Sequence, residues 1–349
     1  MTDFLNTYVD VPQTGMAVRR FQTAKNFIAP FLAPRKLVKK PSGLYTVWRM
    51  GDLNRDELVS RGPSAPPTTS AFNRDLVPYK TDVRSLAFDL NAAQAAAADD
   101  DSDPEQMIPL ALGYKALISA ELRVAQTFFQ PNAWYRVVTG AAQDAIGADG
   151  SPAGQRKFFD DPTTDPITAI GDEIRMQGLL TGQDPVAMVF GRRLWHFLRN
   201  HPKVRAALVS TTIPVIQARP ATLEQMAALL ELEWVGVSKA IYNTALENEA
   251  PTNKLIVPPN DALLYFAPSP GTLDADPAMN VASNVPTAAL TKLVWNGVLG
   301  VAMDGIQVRT FPDPNAGPGG SMRSVIDVYN GYQVVTREMG TLFRNMVSS

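Results

Sequence analysis

The amino-acid sequence predicts an α+β fold on three observations. Residues 37–80 alternate like strands around a polar, proline-rich tip, residues 104–130 carry one long two-faced helix, and residues beyond 165 mix short helix and strand signals between proline breaks.

The first 34 residues mix apolar and polar positions without a sustained period and end in Pro30-Phe31-Leu32-Ala33-Pro34. They predict an arm, partly or wholly extended, that orders by lying on something. In residues 37–80, Tyr45 and Val47 against Thr46 and Trp48 predict one strand, and Leu76, Val77 and Tyr79 a returning one. Two such arms of about 20 residues, at roughly 3.3 Å per residue, reach ~60 Å, the width of a neighbouring domain. An isolated two-stranded ribbon is marginal in water unless something covers it, and a second copy of the chain is the most direct cover. The segment is also basic, with Lys36, Lys39, Lys40, Arg49, Arg55, Arg61, Arg74 and Lys80 against Asp52, Asp56, Glu57 and Asp75. The plainer alternative is a solvated loop whose lysines suppress edge-to-edge pairing.

An alanine run then leads into Asp99, Asp100, Asp101, Asp103 and Glu105. Acidic groups ahead of a helix satisfy its unpaired amides, and Pro104 suits the first helical position. A calcium loop is disfavoured, because the run lacks the required glycine and closing glutamate. Along the helix, Met107, Ala111, Tyr114, Ile118, Leu122, Ala125 and Phe129 predict the apolar stripe, with Lys115, Ser119, Arg123, Gln126 and Gln130 opposite. Its length, at about 1.5 Å per residue, is roughly 40 Å, a spine for one domain.

Further on, Asp165-Pro166 reads as an N-cap with a first-turn proline, Ile167, Ile170 and Ile174 as a stripe, and Gly178 as the stop. Residues 186–190 predict a buried strand. Gly191 opens a helix carrying Leu194, Trp195, Phe197 and Leu198 that ends near His201-Pro202, and Thr222 with Gln225 forms a capping-box pattern ahead of a strand at 232–237. Residues 262–266 predict another short strand. Gly317-Pro318-Gly319-Gly320 reads as a turn, and no fixed-period repeat is visible.

Composition bounds the function. The 349 residues, 45% hydrophobic and 19% charged, suffice for one or two sizeable cores. A formal charge of −2 argues against tight binding through many nucleic-acid phosphates unless the charge is very unevenly placed. With no cysteine and two histidines, disulfides and thiolate chemistry are excluded and histidine chemistry is thin. Asp3, Asp10 and Pro12 interrupt any signal peptide, and no run approaches a membrane span, so the expected product is soluble and made in the cytoplasm.

Chemistry-bearing patterns are scarce. His196 and His201, five apart, do not share a helix face, and neither a nucleophile elbow nor a phosphate loop is present. The five tryptophans, scattered at 48, 134, 195, 234 and 295, form no basic stacking platform and are expected mostly in the core. The adjacent carboxylates Asp172 and Glu173 are the best candidate for a metal-dependent hydrolase or nuclease. They point about 100° apart on a helix and make a poor chelate alone.

Several segments resemble the major capsid proteins of tailed bacteriophages. They are Leu32-Ala33-Pro34 with Lys40-Pro41-Ser42-Gly43-Leu44-Tyr45-Thr46-Val47, and Asp184-Pro185-Val186-Ala187-Met188-Val189-Phe190-Gly191 with Trp195, Leu198 and His201-Pro202. Further on, residues 223–230, Glu233-Trp234-Val235-Gly236-Val237 with Ala240, Tyr242 and Asn243, and Asp261-Ala262-Leu263-Leu264-Tyr265 continue the similarity, which covers nearly the whole chain. The resemblance implies a Hong Kong 97-type coat fold: an N-terminal arm at 1–34, an extended β-hairpin E-loop at 35–80, a P-domain at 81–165 with the spine helix, a mixed α/β A-domain at 166–299, and a C-terminal return to the P-domain at 300–349. Val325, Val328, Tyr332, Val334 and Val335 would close the P-domain sheet.

The resemblance further implies a non-enzymatic shell protein without cofactor or metal. It would assemble into hexamers and pentamers around double-stranded DNA in the virion, with a portal, a separate scaffolding protein and an optional decoration protein as partners. DNA would be a non-specific neighbour, and no membrane is involved. No Lys–Asn cross-link is expected, because the required residues find no match. The expected inter-subunit contact is Lys39, Lys40 and Arg49 of one subunit against Asp99, Asp100 and Asp101 of the next. A decoration or tail protein of the same virion is the other structural alternative.

Overall fold

The computed structural model of the protein describes residues 26–33, 42–48, 55–61, 66, 69, 74–91, 104–145, 154–209, 220–246, 249–266, 282–284, 306–314, 321–334 and 336–348. The helices are α1 (Ala29–Leu32), α2 (Pro104–Phe128), α3 (Pro166–Thr181), α4 (Arg192–Asn200), α5 (Pro202–Val209) and α6 (Leu223–Leu229). The strands are β1 (Ser42–Trp48), β2 (Arg74–Lys80), β3 (Asp82–Asn91), β4 (Arg136–Ala141), β5 (Gln155–Lys157), β6 (Ala187–Phe190), β7 (Trp234–Val237), β8 (Ile241–Asn243), β9 (Asn253–Leu255), β10 (Ala262–Tyr265), β11 (Ala282–Asn284), β12 (Ile306–Asp313), β13 (Ser321–Asn330), β14 (Tyr332–Val334) and β15 (Gly340–Arg344).

The centre is a six-stranded mixed sheet in the order β5-β4-β15-β10-β6-β7. Its inner strands read as unbroken apolar runs, Ala187-Met188-Val189-Phe190 and Ala262-Leu263-Leu264-Tyr265, because both faces are covered. Strand periodicity sorts those side chains onto two cores. Val189, Leu263 and Leu342 join the cluster of α1 and α2, while Met188, Phe190, Leu264 and Phe343 join Ile170, Leu194, Leu198 and Met226 from α3, α4 and α6.

The spine helix runs where the sequence predicts it, but its core face is rotated by about one residue. Ile108, Leu112, Ala116, Leu117, Ala120, Val124 and Phe128 are buried, whereas Ala111 and Tyr114 are exposed. Two layers demand contact: the α2 cluster includes Leu90, Val308 and Ile326 from a three-stranded sheet, β12-β13-β3, as well as the six-stranded sheet. Arg123, expected in solvent, lies over the Tyr332 ring at 5.2 Å and donates to the Asn330 carbonyl at 2.9 Å. Trp134 ends the helix by donating from Nε1 to the Phe128 carbonyl at 2.7 Å.

Local signals hold well. Asp165 caps α3 by accepting from the Thr168 amide, and Thr222 and Gln225 form both bonds of a capping box on α6. Gly178 does not stop α3. The helix continues to Thr181 and ends on Gly182, whose φ of 72° is the left-handed conformation that glycine adopts freely. Pro202, expected only as a stop, also opens α5. Residues 29–32, expected within an extended arm, turn helical as α1.

The strands group across the expected domain limits. β4, β5 and β15, from residues assigned to the P-domain and the C-terminal return, share the six-stranded sheet with β6, β7 and β10.

Candidate assembly surface

β1 and β2 pair antiparallel from Ser42 opposite Lys80 to Trp48 opposite Arg74. The register sets Leu44, Leu76 and Pro78 on one face, all exposed, and Val77 and Tyr79 on the other, both half-buried. Among the described residues the ribbon is tied to the body by the bond from Gln333 Nε2 to the Pro78 carbonyl at 3.0 Å. Leu58 and Val59, between the strands, are 95% and 69% exposed.

β3 continues this open apolar surface. Among the described residues it is the edge of its sheet, with a backbone row that pairs with no further strand. Its even-numbered residues share the face on which Ile326 and Val308 bury against α2. Leu90 reaches that core, but Leu86 and Phe88 overhang it and are 44% and 49% exposed. Val83 is exposed on the opposite face. The sheet itself is fixed by charge: Arg323 makes two bonds to Asp89 at 2.6 and 2.8 Å and pairs with Asp313 at 2.8 Å, while Asp327 takes Ser85 at 2.6 Å and Arg309. The Arg323 guanidinium holds the Asp89 carboxyl below the ordinary carboxylate range. These pairs brace the register of β12, β13 and β3 beneath the overhang.

A second feature ties the arm to the body. Glu121, fully buried on α2, accepts from the Ile28 and Ala29 amides at 2.9 and 2.8 Å and from Ser238 Oγ at 3.1 Å. A carboxylate from 92 residues further along the chain thus satisfies the first amides of α1. Phe27 packs edge-on to Tyr114 and Phe31 stacks on Trp234, at centroid distances of 5.8 and 5.7 Å. Burial, opposed only by these neutral donors, pushes the Glu121 carboxyl up to about 7.

The six residues of the expected charged contact, Lys39, Lys40, Arg49, Asp99, Asp100 and Asp101, lie outside the described residues, as do Trp295 and Gly317-Pro318-Gly319-Gly320. The metal reading of Asp172 and Glu173 meets a correction. Glu173 is fully buried and bonded to Arg136, with Arg136 Nη2 at 3.0 Å, and Arg156 spans Asp172 at 3.0 Å and Glu173 at 3.4 Å. Two arginines occupy the lone pairs that a metal would need. His201 is buried, its Nε2 3.0 Å from the Asp161 carbonyl and its Nδ1 accepting from the Lys203 amide at 3.3 Å, while His196 is exposed on α4. Of the tryptophans described by side chain, Trp134 and Trp195 are core and Trp234 is half-buried.

Sequence reading missed Glu121, Arg136 and the β3 overhang. The signal for Glu121 was weak but present: once the stripe is centred on Leu117 and Val124, a glutamate falls on its axis. Among the described residues no helix is long and apolar enough to cross a membrane.

No family model and no curated protein matches the sequence. Solved structures do. A crystal structure of a phage-related protein from Bordetella bronchiseptica matches with a TM-score of 0.66 at 16% identity, over 98% of this chain and 99% of that one. The capsid protein of the cyanophage P-SCSP1u matches with a TM-score of 0.53 at 10% identity, over 92% and 89% of the two chains. The mature capsid of bacteriophage PhiM1 gives 0.52 at 10% identity, over 92% and 87%. The chain has the fold of phage capsid proteins, the α+β architecture of the Hong Kong 97-type coat.

Proposed function

We propose that the chain is the major capsid protein of a tailed phage, building an icosahedral shell of hexamers and pentamers around double-stranded DNA. The observation that carries this reading is the apolar overhang of the ribbon and β3 on a capsid-type fold. Burying the exposed halves of Leu44, Leu76, Val83, Leu86 and Phe88 against neighbours would contribute, at about half of the 1.5–3 kcal/mol of a fully buried side chain, on the order of 5 kcal/mol before association costs. In a head-to-tail ring one subunit's ribbon covers the next subunit's β3 overhang, and such heterologous contacts close or curve according to the rotation between copies.

Residues 35–80 act as the E-loop, residues 1–34 as the arm pinned by Glu121, and a separate scaffolding protein, a portal and an optional decoration protein are the partners. The basic residues Lys39, Lys40 and Arg49 meet Asp99, Asp100 and Asp101 of an adjacent subunit and set register. The test is negative-stain microscopy with light scattering on the purified chain, with and without a co-expressed scaffold. Shells or rings are the expected result, and a small monodisperse particle under both conditions overturns the reading. Reversing Asp99, Asp100 and Asp101 to lysine should abolish shells with the monomer still folded. Normal shells from that variant would remove the charged contact from the scheme.

A further inference from the structure

The charge of this chain is unevenly placed. Residues 191–209, covering α4 and α5, hold Arg192, Arg193, Arg199, Lys203 and Arg205 and no carboxylate, in a chain of net charge −2. Three of these have internal work: Arg193 donates to the Ser348 carbonyl at 3.1 Å and lies over Phe197, Lys203 donates to the Thr163 carbonyl at 2.8 Å, and Arg205 is also engaged. Arg192 and Arg199 make no ion pair among the described residues, and neither does Lys239, just beyond β7.

These three cations surround one cavity. It holds about 330 Å³ and is lined by Arg192, Trp195, His196, Arg199, Val237 and Lys239. The helix repeat explains the lining: Leu194, Trp195 and Leu198 turn inward, which leaves 192, 196 and 199 on the outer face of α4. The floor is rigid, because the Trp195 ring stacks on Phe190 at 5.8 Å.

We infer that this cavity is a phosphate-binding site formed by Arg192, Arg199 and Lys239. Three unpaired cations around a concave, apolar-floored site select a compact multivalent anion, and guanidinium groups match phosphate oxygens in pairs. The inference rests on the shell reading for the source of the phosphate: DNA enclosed by the shell presents phosphodiesters at high density. Free oligophosphate carries the same chemistry.

The test uses the full-length protein and its Arg192→Gln/Lys239→Gln double variant. Binding of a fluorescent 30-base-pair duplex is followed by anisotropy from 50 to 200 mM salt, with inorganic pyrophosphate and a polyglutamate peptide as competitors. The double variant should bind the duplex on the order of 50-fold more weakly at 0.1 M salt, with a log–log salt slope shallower by about 1.8. Competition by pyrophosphate that the variant abolishes supports the site. If the duplex does not bind, pyrophosphate is titrated directly by calorimetry: heat from wild type that the double variant lacks makes free oligophosphate the source, and no heat from wild type overturns the inference. An unchanged slope in the variant overturns the inference, and so does polyglutamate competing better than pyrophosphate. Micrographs of the same samples separate the two levels. Shells without phosphate binding sink the pocket alone, whereas a wild-type chain that never forms shells sinks the coat reading and leaves the binding result standing.

Discussion

The six-stranded sheet and the three-stranded sheet with its ribbon are made of similar strands and end in opposite states. β6, β10 and β15 are buried on both faces by α1 and α2 on one side and α3, α4 and α6 on the other. β3 is exposed along residues 82–89, and among the described residues the ribbon's Leu44 and Leu76 join neither core. One region finishes its hydrophobic burial inside the chain. The other stops short, yet holds its register with arginine and aspartate pairs. A braced surface left apolar is what the proposed coat-protein reading requires of a subunit interface.

The sharpest way to break that contrast is to mutate both regions identically in spirit. Phe190→Ala, in the closed region, should cost about 3–5 kcal/mol and lower the thermal midpoint by many degrees. Leu86→Ser with Phe88→Ser, in the open region, should cost the monomer about 1–3 kcal/mol, less than Phe190→Ala, since about half of each side chain is already exposed, while shells disappear from micrographs. If the double serine variant unfolds the monomer, β3 is part of the internal core and the comparison fails.

Two buried glutamates extend it. Glu173 neutralises arginines inside the closed region, whereas Glu121 faces only neutral donors at the arm. Arg136→Ala leaves Glu173 with the 3.4 Å contact to Arg156, and should destabilise by about 3 kcal/mol in urea melts. Glu121 predicts a pH effect. Its carboxyl is raised from 4.5 to about 7 in the folded chain, so the native state binds that proton more tightly. The stability it adds is full below the unfolded value and is lost as pH rises through about 7. Over that window wild type should lose up to ~3 kcal/mol more than Glu121→Gln, whose amide can still accept from Ile28 and Ala29. Parallel slopes for the two proteins would place the carboxyl in a less desolvated site.

What the sequence revealed follows the range of the interactions. Asp165, Thr222 with Gln225, and the alternation in β1 and β2 depend on residues within a few positions, and each was legible. Gly178 misled because a glycine four positions later, Gly182, carries the left-handed turn. The rotation of the α2 stripe, the parallel pairing of β15 with β4, and the link from Glu121 to Ala29 all join distant segments, so no local pattern announces them. The pairing of β1 with β2 was legible because the alternation on both strands flanks a polar, proline-rich tip. The overhang on β3 was not, since it depends on where α2 ends its coverage of the sheet.

The smallest effect tests whether the closed region is energetically independent of assembly. Thr222 accepts from the Gln225 amide while Gln225 Oε1 accepts from the Thr222 amide at 3.1 Å. Thr222→Ala removes one of those bonds, leaves an amide of α6 to water, and should destabilise by about 1 kcal/mol. Differential scanning calorimetry should register a drop of about 2 °C for a chain of this size. α6 contributes Met226 to the core on the far side of the sheet from α2, so shell yield in the variant should match wild type at temperatures well below the midpoint. A variant with this small thermal shift and a large loss of shells would mean that α6 itself touches a neighbour, and the interface would then have to extend from the open region onto the closed one.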